Sequence, residues 1–135
     1  MLTDVDLEPM LRAVPAYAPT WAEERAGLDG AALNSPGVAW FFFDGLAHHL
    51  ADRAAAGDFS EFAPMFVALD RMYADGAAAA DMDTVLTTGF LESLIYSSQR
   101  NRVDPAGIAR HVTGDNALAG WDAAYSYVCS DGKPR

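Results

Sequence analysis

The sequence predicts an all-α fold, a compact single domain of about five to seven helices packed as antiparallel helical hairpins. Capping patterns and glycines bracket most of the apolar segments, as they do at helix ends. β-Branched residues are sparse, and no segment alternates convincingly between polar and apolar residues as a half-buried strand does. Alanine, the residue with the highest helix propensity, is abundant throughout. Together these observations favour helices and leave no candidate strand.

Length and composition set the class of protein. The chain has 135 residues, the size of one ordinary domain, and 51% of them are hydrophobic. Its apolar runs are interrupted well before the ~20 residues that a membrane-spanning helix needs. The acidic first ten residues lack the pattern of an export signal, and the single Cys129 can form no disulfide within the chain. We therefore expect a soluble cytoplasmic protein, with residues 1–129 as the domain and 130–135 as a flexible tail.

Four polar residues mark predicted helix starts. Ser35 and Asp104 each precede a proline, which suits an N-cap followed by proline at the first helical position. Thr20 and Asp58 each precede a glutamate by three residues, the spacing of a capping box.

Glycines mark the predicted helix ends, because glycine adopts the left-handed terminating conformation at least cost. They are Gly27, Gly57, Gly76 and Gly114. With the predicted starts they give helices at about 3–13, 20–28, 36–56, 59–75, 82–99, 105–112 and 115–128.

Two predicted helices have clear apolar faces at helical spacing. In the helix at 59–75, that face consists of Phe59, Phe62, Met65, Phe66, Leu69, Met72 and Tyr73. In the last helix, a stripe of Leu118, Trp121, Tyr125 and Val128 is expected to lie over the bundle.

The stretch WFFFDGLAHHL, residues 40–50, has four consecutive aromatic residues that point in four directions around the helix at 36–56. Helical phase assigns its buried side to Phe43, Leu46, Ala47, Leu50 and Ala54. Asp44, His48 and Asp52 follow at i, i+4 spacing and form one polar strip, and Phe41 lies within it. The helix is therefore expected to be central, with neighbours on most sides.

The polar strip allows a metal site or a catalytic site. Asp44 and His48 lie one turn apart and could ligate a metal with a residue such as His111 from another helix. No further His or Cys matches the spacing of a known zinc motif, however, and an Asp–His pair at i, i+4 also stabilises a helix on its own. We therefore predict no metal and no cofactor.

A catalytic site would need a nucleophile near a base. Three serines on the helix at 82–99, Ser93, Ser97 and Ser98, are candidates, but none lies on a G-x-S-x-G turn. No glycine-rich phosphate-binding loop is present either. Enzymatic activity therefore has no motif to support it.

The net charge is −10, from 9 basic and 19 acidic residues. Such a charge repels nucleic acid and anionic lipid, so neither is an expected partner, whereas a basic protein surface is favoured. Phe41 is either covered by the N-terminal helices or exposed as a binding anchor among acids. We therefore predict a partner-binding strip of Phe41, Asp44, His48 and Asp52.

The segment DTVLTTGFLESLIYSSQ, residues 83–99, preceded by FVALDRMYADG, resembles a family of small, all-helical, uncharacterised bacterial proteins. The resemblance covers about residues 36–99 and centres on a helix motif of Gly89, Phe90, Leu91, Glu92 and Leu94. It implies membership among proteins thought to include immunity proteins, which neutralise the toxins of bacterial competition systems. It implies no catalytic residues. From the residues themselves, Glu92 is expected to be a carboxylate paired or capped among packed side chains.

Three functions follow as hypotheses. The favoured one is a non-catalytic, acidic immunity-type inhibitor that occludes a basic toxin. The second is a small metal-dependent or hydrolytic enzyme that uses Asp44 and His48. The third is a helical adaptor that binds peptides.

Overall fold

The computed structural model describes residues 4–33, 35, 37–75 and 82–130, and these contain helices but no strand. The all-α prediction is therefore confirmed. The elements are α1 (Asp4–Ala13), a 3-10 turn (Pro15–Tyr17), α2 (Ala18–Ala26), α3 (Gly30–Leu33), α4 (Gly37–Ala55), α5 (Phe62–Asp75), α6 (Met82–Thr84), a π-helical segment (Val85–Glu92), α7 (Ser93–Arg100), α8 (Pro105–Ala109) and α9 (Asp115–Ser130). Within the described ranges, no helix is long and apolar enough to cross a membrane.

The predicted start of α2 is wrong by two residues. The 3-10 turn leads directly into α2 at Ala18, and the N-cap residue Tyr17 makes no side-chain capping bond. Thr20 therefore lies inside the helix and does not cap it. At the other end, Gly27 has a φ of −82°, so it ends the helix without the left-handed conformation that the sequence suggested.

A short connection, residues 56–61, joins the end of α4 to the start of α5. Gly57 adopts the predicted left-handed conformation, with φ +81°. Asp58 Oδ1 accepts hydrogen bonds from the Ser60 N–H at 3.0 Å and the Ser60 hydroxyl at 2.6 Å, and these bonds lower the pKa of Asp58. The capping box is not formed, because the Asp58 N–H donates to the Arg53 carbonyl and Glu61 binds a histidine of α4.

The two predicted Ser/Asp–Pro caps have different outcomes. Asp104 caps α8 as predicted, since its Oδ1 accepts from the Ala106 N–H at 2.9 Å. The Ser35 hydroxyl instead donates to the Ala32 carbonyl at 2.8 Å, which ties it to α3. Pro36 and the predicted terminator Gly76 lie outside the described residues.

Helix α9 begins with a cap from another helix. Gly114, predicted to end a helix, has φ +91° and precedes the first turn of α9, where its carbonyl accepts from the Leu118 N–H. Asp70 of α5 contacts Gly114, and its Oδ1 accepts from the Ala117 N–H at 2.9 Å. A side chain 47 positions away therefore satisfies an N–H that the helix cannot pair internally.

Helix α4 lies at the centre of the core and packs on α7 and the π-helical segment. Every residue of its predicted buried side is buried, and Phe42, Val38, Ala39 and Ala51 are buried as well. The apolar face of α5 is also confirmed, with Phe62, Met65, Phe66, Leu69 and Met72 buried and Phe59 and Tyr73 partly buried.

The GFLE-x-L motif spans the π-helical segment and the first turn of α7. Phe90, Leu91 and Leu94 are fully buried, and Gly89 lies directly beneath the Trp40 ring. A Cβ on Gly89 would lie 2.8 Å from Cε3 of Trp40, so glycine permits this close packing. Partial burial raises the pKa of Glu92, opposed by a hydrogen bond with Thr88. In the structure these residues pack the helix against α4.

The predicted stripe on α9 is wrong for two of its four residues. Trp121 and Val128 are buried, but Leu118 is 49% exposed and Tyr125 is 41% exposed. The buried face consists instead of Ala117, Gly120, Trp121, Ala124 and Val128, a rotation of roughly 60° about the helix axis. Ser130 is the last residue of α9, and the rest of the predicted tail, residues 131–135, lies outside the described residues.

Candidate functional site

A cleft of about 410 Å³ lies between α4, the 3-10 turn and α2, on the side of α4 that carries the polar strip. It is called the acidic cleft below. All four predicted partner-binding residues, Phe41, Asp44, His48 and Asp52, line it. Sequence reasoning missed the other lining residues, which are Tyr17, Thr20, Glu24, Gly45 and His49.

The floor of the acidic cleft depends on Gly45. The buried Tyr17 ring places its hydroxyl against the Cα of Gly45, and any Cβ there would overlap the hydroxyl oxygen. The same hydroxyl donates to Glu24 Oε2 at 3.2 Å. Burial raises the pKa of Tyr17, and the nearby charges of Glu24 and Asp44 raise it further. Tyr17 therefore stays protonated and holds the Glu24 carboxylate at the cleft.

The charge of the acidic cleft comes from Glu24, Asp44 and Asp52. Among the described residues that line it, none is a lysine or an arginine. Asp44 lies 3.7 Å from Nδ1 of His48, and its side chain is 59% exposed. Three carboxylates from two helices thus face one volume and together attract a cation.

Hydrogen bonds on both ring nitrogens orient His48. Its Nδ1 lies 2.8 Å from the Asp44 carbonyl oxygen, which can only accept, so Nδ1 carries the proton. Its Nε2 lies 3.4 Å from Nη2 of Arg100 on α7 and can accept from that guanidinium. Through these two contacts, the ring joins the rim of the acidic cleft to α7.

His49 forms the back of the acidic cleft. Its Nε2 lies 2.9 Å from Glu61 Oε1, and both side chains are only 14% exposed. The ring also packs on Tyr17, with centroids 5.5 Å apart. His49 therefore connects α4 to the residues just before α5 and supports the cleft from behind.

Phe41 stands at the edge of the acidic cleft. Its side chain is 43% exposed, and its ring centroid lies 6.0 Å from that of the buried Trp21. The sequence allowed either a covered Phe41 or an exposed anchor, and the structure shows a half-exposed ring that contacts Trp21. A half-exposed aromatic ring of this kind is typical of binding anchors.

Two of the candidate serines, Ser97 and Ser98, have other hydrogen-bond partners than His48. Ser97 and Ser98 are buried, and the Ser98 hydroxyl donates to the Leu94 carbonyl at 2.7 Å. Arg100 Nη2 contacts both the Ser97 hydroxyl, at 3.1 Å, and His48 Nε2. The imidazole therefore meets a guanidinium and not a nucleophile.

The proposed third metal ligand is engaged elsewhere. His111 stacks on Phe59, with centroids 5.5 Å apart and planes 17° from parallel, and also on Phe62. Among the residues with described positions, no three His, Cys, Asp or Glu side chains form a group that could hold a metal ion.

Comparison with protein families gives one match. The family model described as "Domain of unknown function (DUF7674)" matches residues 7–114. This range includes the whole acidic cleft and ends just before α9. No curated protein and no solved structure matches the chain.

Proposed function

This chain belongs to the DUF7674 family of domains of unknown function, and we propose that it is a non-catalytic protein-binding module whose acidic cleft receives a basic partner. The observation that carries this proposal is the convergence of Glu24, Asp44 and Asp52 beside the half-exposed ring of Phe41. Carboxylates alone would attract counter-ions. The aromatic ring adds an apolar contact that small counter-ions do not use.

Charge supports a protein partner of opposite sign. The chain carries a net charge of −10, and three carboxylates line the acidic cleft. Complementary charges accelerate the encounter between proteins, while buried anchors slow their separation. The acids and Phe41 would therefore serve different steps of one binding reaction.

At a finer level, we propose that the partner is a bacterial toxin and that the chain is its cytoplasmic immunity-type inhibitor. The resemblance of the Gly89–Leu94 segment to a family thought to include immunity proteins supports this assignment. Inhibition by occlusion needs no catalytic group and no cofactor.

Surface plasmon resonance against the product of the adjacent open reading frame tests the binding. Association should slow as salt rises, because exposed charges are screened over ~8 Å at physiological ionic strength. Asp44→Lys with Asp52→Lys should slow association similarly. Phe41→Ala should speed dissociation ~10-fold, the equivalent of about 1.4 kcal/mol.

Matched variants on α9 serve as controls. Asp122→Lys changes an exposed acid and Tyr127→Ala removes an exposed aromatic, both outside the acidic cleft. Neither should change the rates beyond the general effect of the two charge units by which Asp122→Lys alters the net charge. Co-expression of the chain should also protect cells from the neighbouring product. Salt-independent binding, cleft variants that behave like these controls, or no binding at all would contradict the proposal.

A further inference from the structure

Phe41 lines a second, smaller cleft as well as the acidic cleft. We infer that the partner segment recognised here carries an apolar side chain beside an arginine or lysine, with one group in each cleft. This inference rests on the proposed function and specifies the chemistry of its partner. The second cleft, called the apolar cleft below, has a volume of about 220 Å³ and is lined by Leu28, Ala32, Ser35, Gly37, Val38 and Phe41.

The apolar cleft has the size to hold about one side chain. Its volume is below the ~300 Å³ at which pockets for small ligands usually begin. Among the described residues of its lining, Ser35 supplies the only polar side chain, and that hydroxyl already donates to the Ala32 carbonyl. An aliphatic side chain would therefore lose no hydrogen bond on entering and would remove apolar surface from water.

The acidic cleft suits the basic neighbour of that side chain. A guanidinium or ammonium group there would face Glu24, Asp44 and Asp52, and its alkyl chain would pass along the edge of Phe41. An arginine has five N–H donors for these carboxylates and also stacks favourably on aromatic rings. The carboxylates by themselves would accept any cation, so they do not identify a ligand.

The position of Phe41 in both clefts restricts the kinds of ligand that could fill them together. Because Phe41 forms a wall of both clefts, the apolar and cationic groups of one ligand must lie about one aromatic ring apart. Trp21 supports this ring, and its contact with Phe41 keeps the wall in place. A peptide segment with neighbouring apolar and basic residues meets this requirement, whereas a simple cation or an aliphatic group fills only one cleft.

Titration of the ¹⁵N-labelled full chain with N-acetyl-Leu-Arg-amide, followed by NMR, tests the inference. The amide signals of Gly45 and Val38, one in each cleft, should both shift. N-acetyl-Gly-Arg-amide should shift Gly45 alone and bind about 10-fold more weakly, since it leaves the apolar cleft empty. N-acetyl-Leu-Glu-amide should not bind measurably.

Two pairs of variants test which side chain of the peptide each cleft binds. Ala32→Phe fills the apolar cleft and should abolish the preference for Leu-Arg over Gly-Arg, whereas Ala31→Phe, exposed on the same helix and outside the cleft, should keep it. Asp44→Asn should weaken both arginine peptides equally, and Asp75→Asn, exposed on α5, should weaken neither. Spectra of each free variant report whether its fold is retained.

Equal affinity of the wild-type chain for the Leu-Arg and Gly-Arg peptides would overturn the inference, as would shifts outside both clefts. If the neighbouring gene product binds through Asp44 and Phe41 while the peptides show no preference, the proposed function stands and this inference fails. If the peptides show the preference but that gene product does not bind, the proposed partner is wrong and the recognition chemistry stands.

Discussion

Helices α4 and α9 bury their faces with side chains of different size. Helix α4 buries Phe42, Phe43 and two leucines, and its two acidic residues, Asp44 and Asp52, lie on the exposed strip. Helix α9 buries Ala117, Gly120 and Ala124 beside Trp121 and Val128, while larger side chains such as Leu118 remain exposed. Hydrophobic phase therefore predicts orientation well where bulky residues fill the core. It fails where small residues let two helices approach closely.

The exposed faces of α4 and α9 also differ. The exposed strip of α4 faces a cleft that α2 and the 3-10 turn close on the other side. Helix α9 exposes Leu118, Tyr125 and Tyr127, and the family match ends before it begins. The concave, charged surface on α4 lies inside the matched domain, which is why the functional proposal rests there.

The largest expected effect distinguishes the core faces of α4 and α5 from the exposed face of α9. Leu50→Asp and Phe66→Asp should each abolish folding, because both side chains are fully buried and an unpaired buried charge costs several kcal/mol. Leu118→Asp should melt near the wild-type temperature, since an exposed acid in the first turn of a helix is favourable. Thermal melts followed by circular dichroism measure all three. A loss for Leu118→Asp as large as for Phe66→Asp would mean that α9 buries its bulky stripe.

The close packing of α9 can be tested at Gly120. Its Cα lies against the Tyr73 hydroxyl, which shares a 2.7 Å hydrogen bond with Thr87 and whose pKa burial raises to about 12. Gly120→Val should lower the free energy of unfolding by about 1–3 kcal/mol through overpacking. Ala119→Val, exposed at the preceding position, should cost much less. Urea denaturation compares the two, and a Gly120→Val variant at least as stable as Ala119→Val would show that the Tyr73 hydroxyl does not limit side-chain size at this position.

Adjacent histidines of α4 should differ in their effect on stability. His49→Ala removes the 2.9 Å contact with Glu61 and leaves a largely buried carboxylate without it, at a cost of about 1–3 kcal/mol. His48→Ala removes an exposed ring and should cost less than about 0.5 kcal/mol. Urea denaturation at pH 7 measures both. If His48→Ala were the more destabilising, the polar strip would be part of the structural core.

The last expected loss of stability concerns the cap of α9. Asp70→Ala should lower the free energy of unfolding by about 1 kcal/mol, the usual cost of losing a side-chain cap. Hydrogen exchange should show the loss first at the Ala117 amide. Asp75→Ala, exposed on the same helix, is the control and should leave that amide unchanged. Unchanged protection in Asp70→Ala would mean that Gly114 alone sets the start of α9.

The sequence predicts a helix end correctly where the stabilising contact joins residues that are close in the chain. Asp104 caps α8 through an N–H two residues away, and Gly57 turns the chain at the end of α4, both as the sequence indicates. The wrong helix starts predicted at Thr20 and Asp58 have a tertiary cause. The 3-10 turn before α2 packs Tyr17 into the core, and His49 of α4 draws Glu61 away from the cap. Long-range partners outweigh local capping because each capping bond contributes only about 1 kcal/mol.

Some features of the candidate site also follow from residue order alone, and others depend on how the helices pack. The sequence by itself determined the helical class, the central position of α4 and the polar strip of Asp44, His48 and Asp52, because composition and helical phase depend only on residue order. Only the tertiary structure decided that α2 adds Glu24, that Gly45 admits the Tyr17 hydroxyl, and that Phe41 divides two clefts. These features depend on which helices pack together and how closely. Packing of that kind arises from contacts between residues distant in sequence, and no local pattern encodes it.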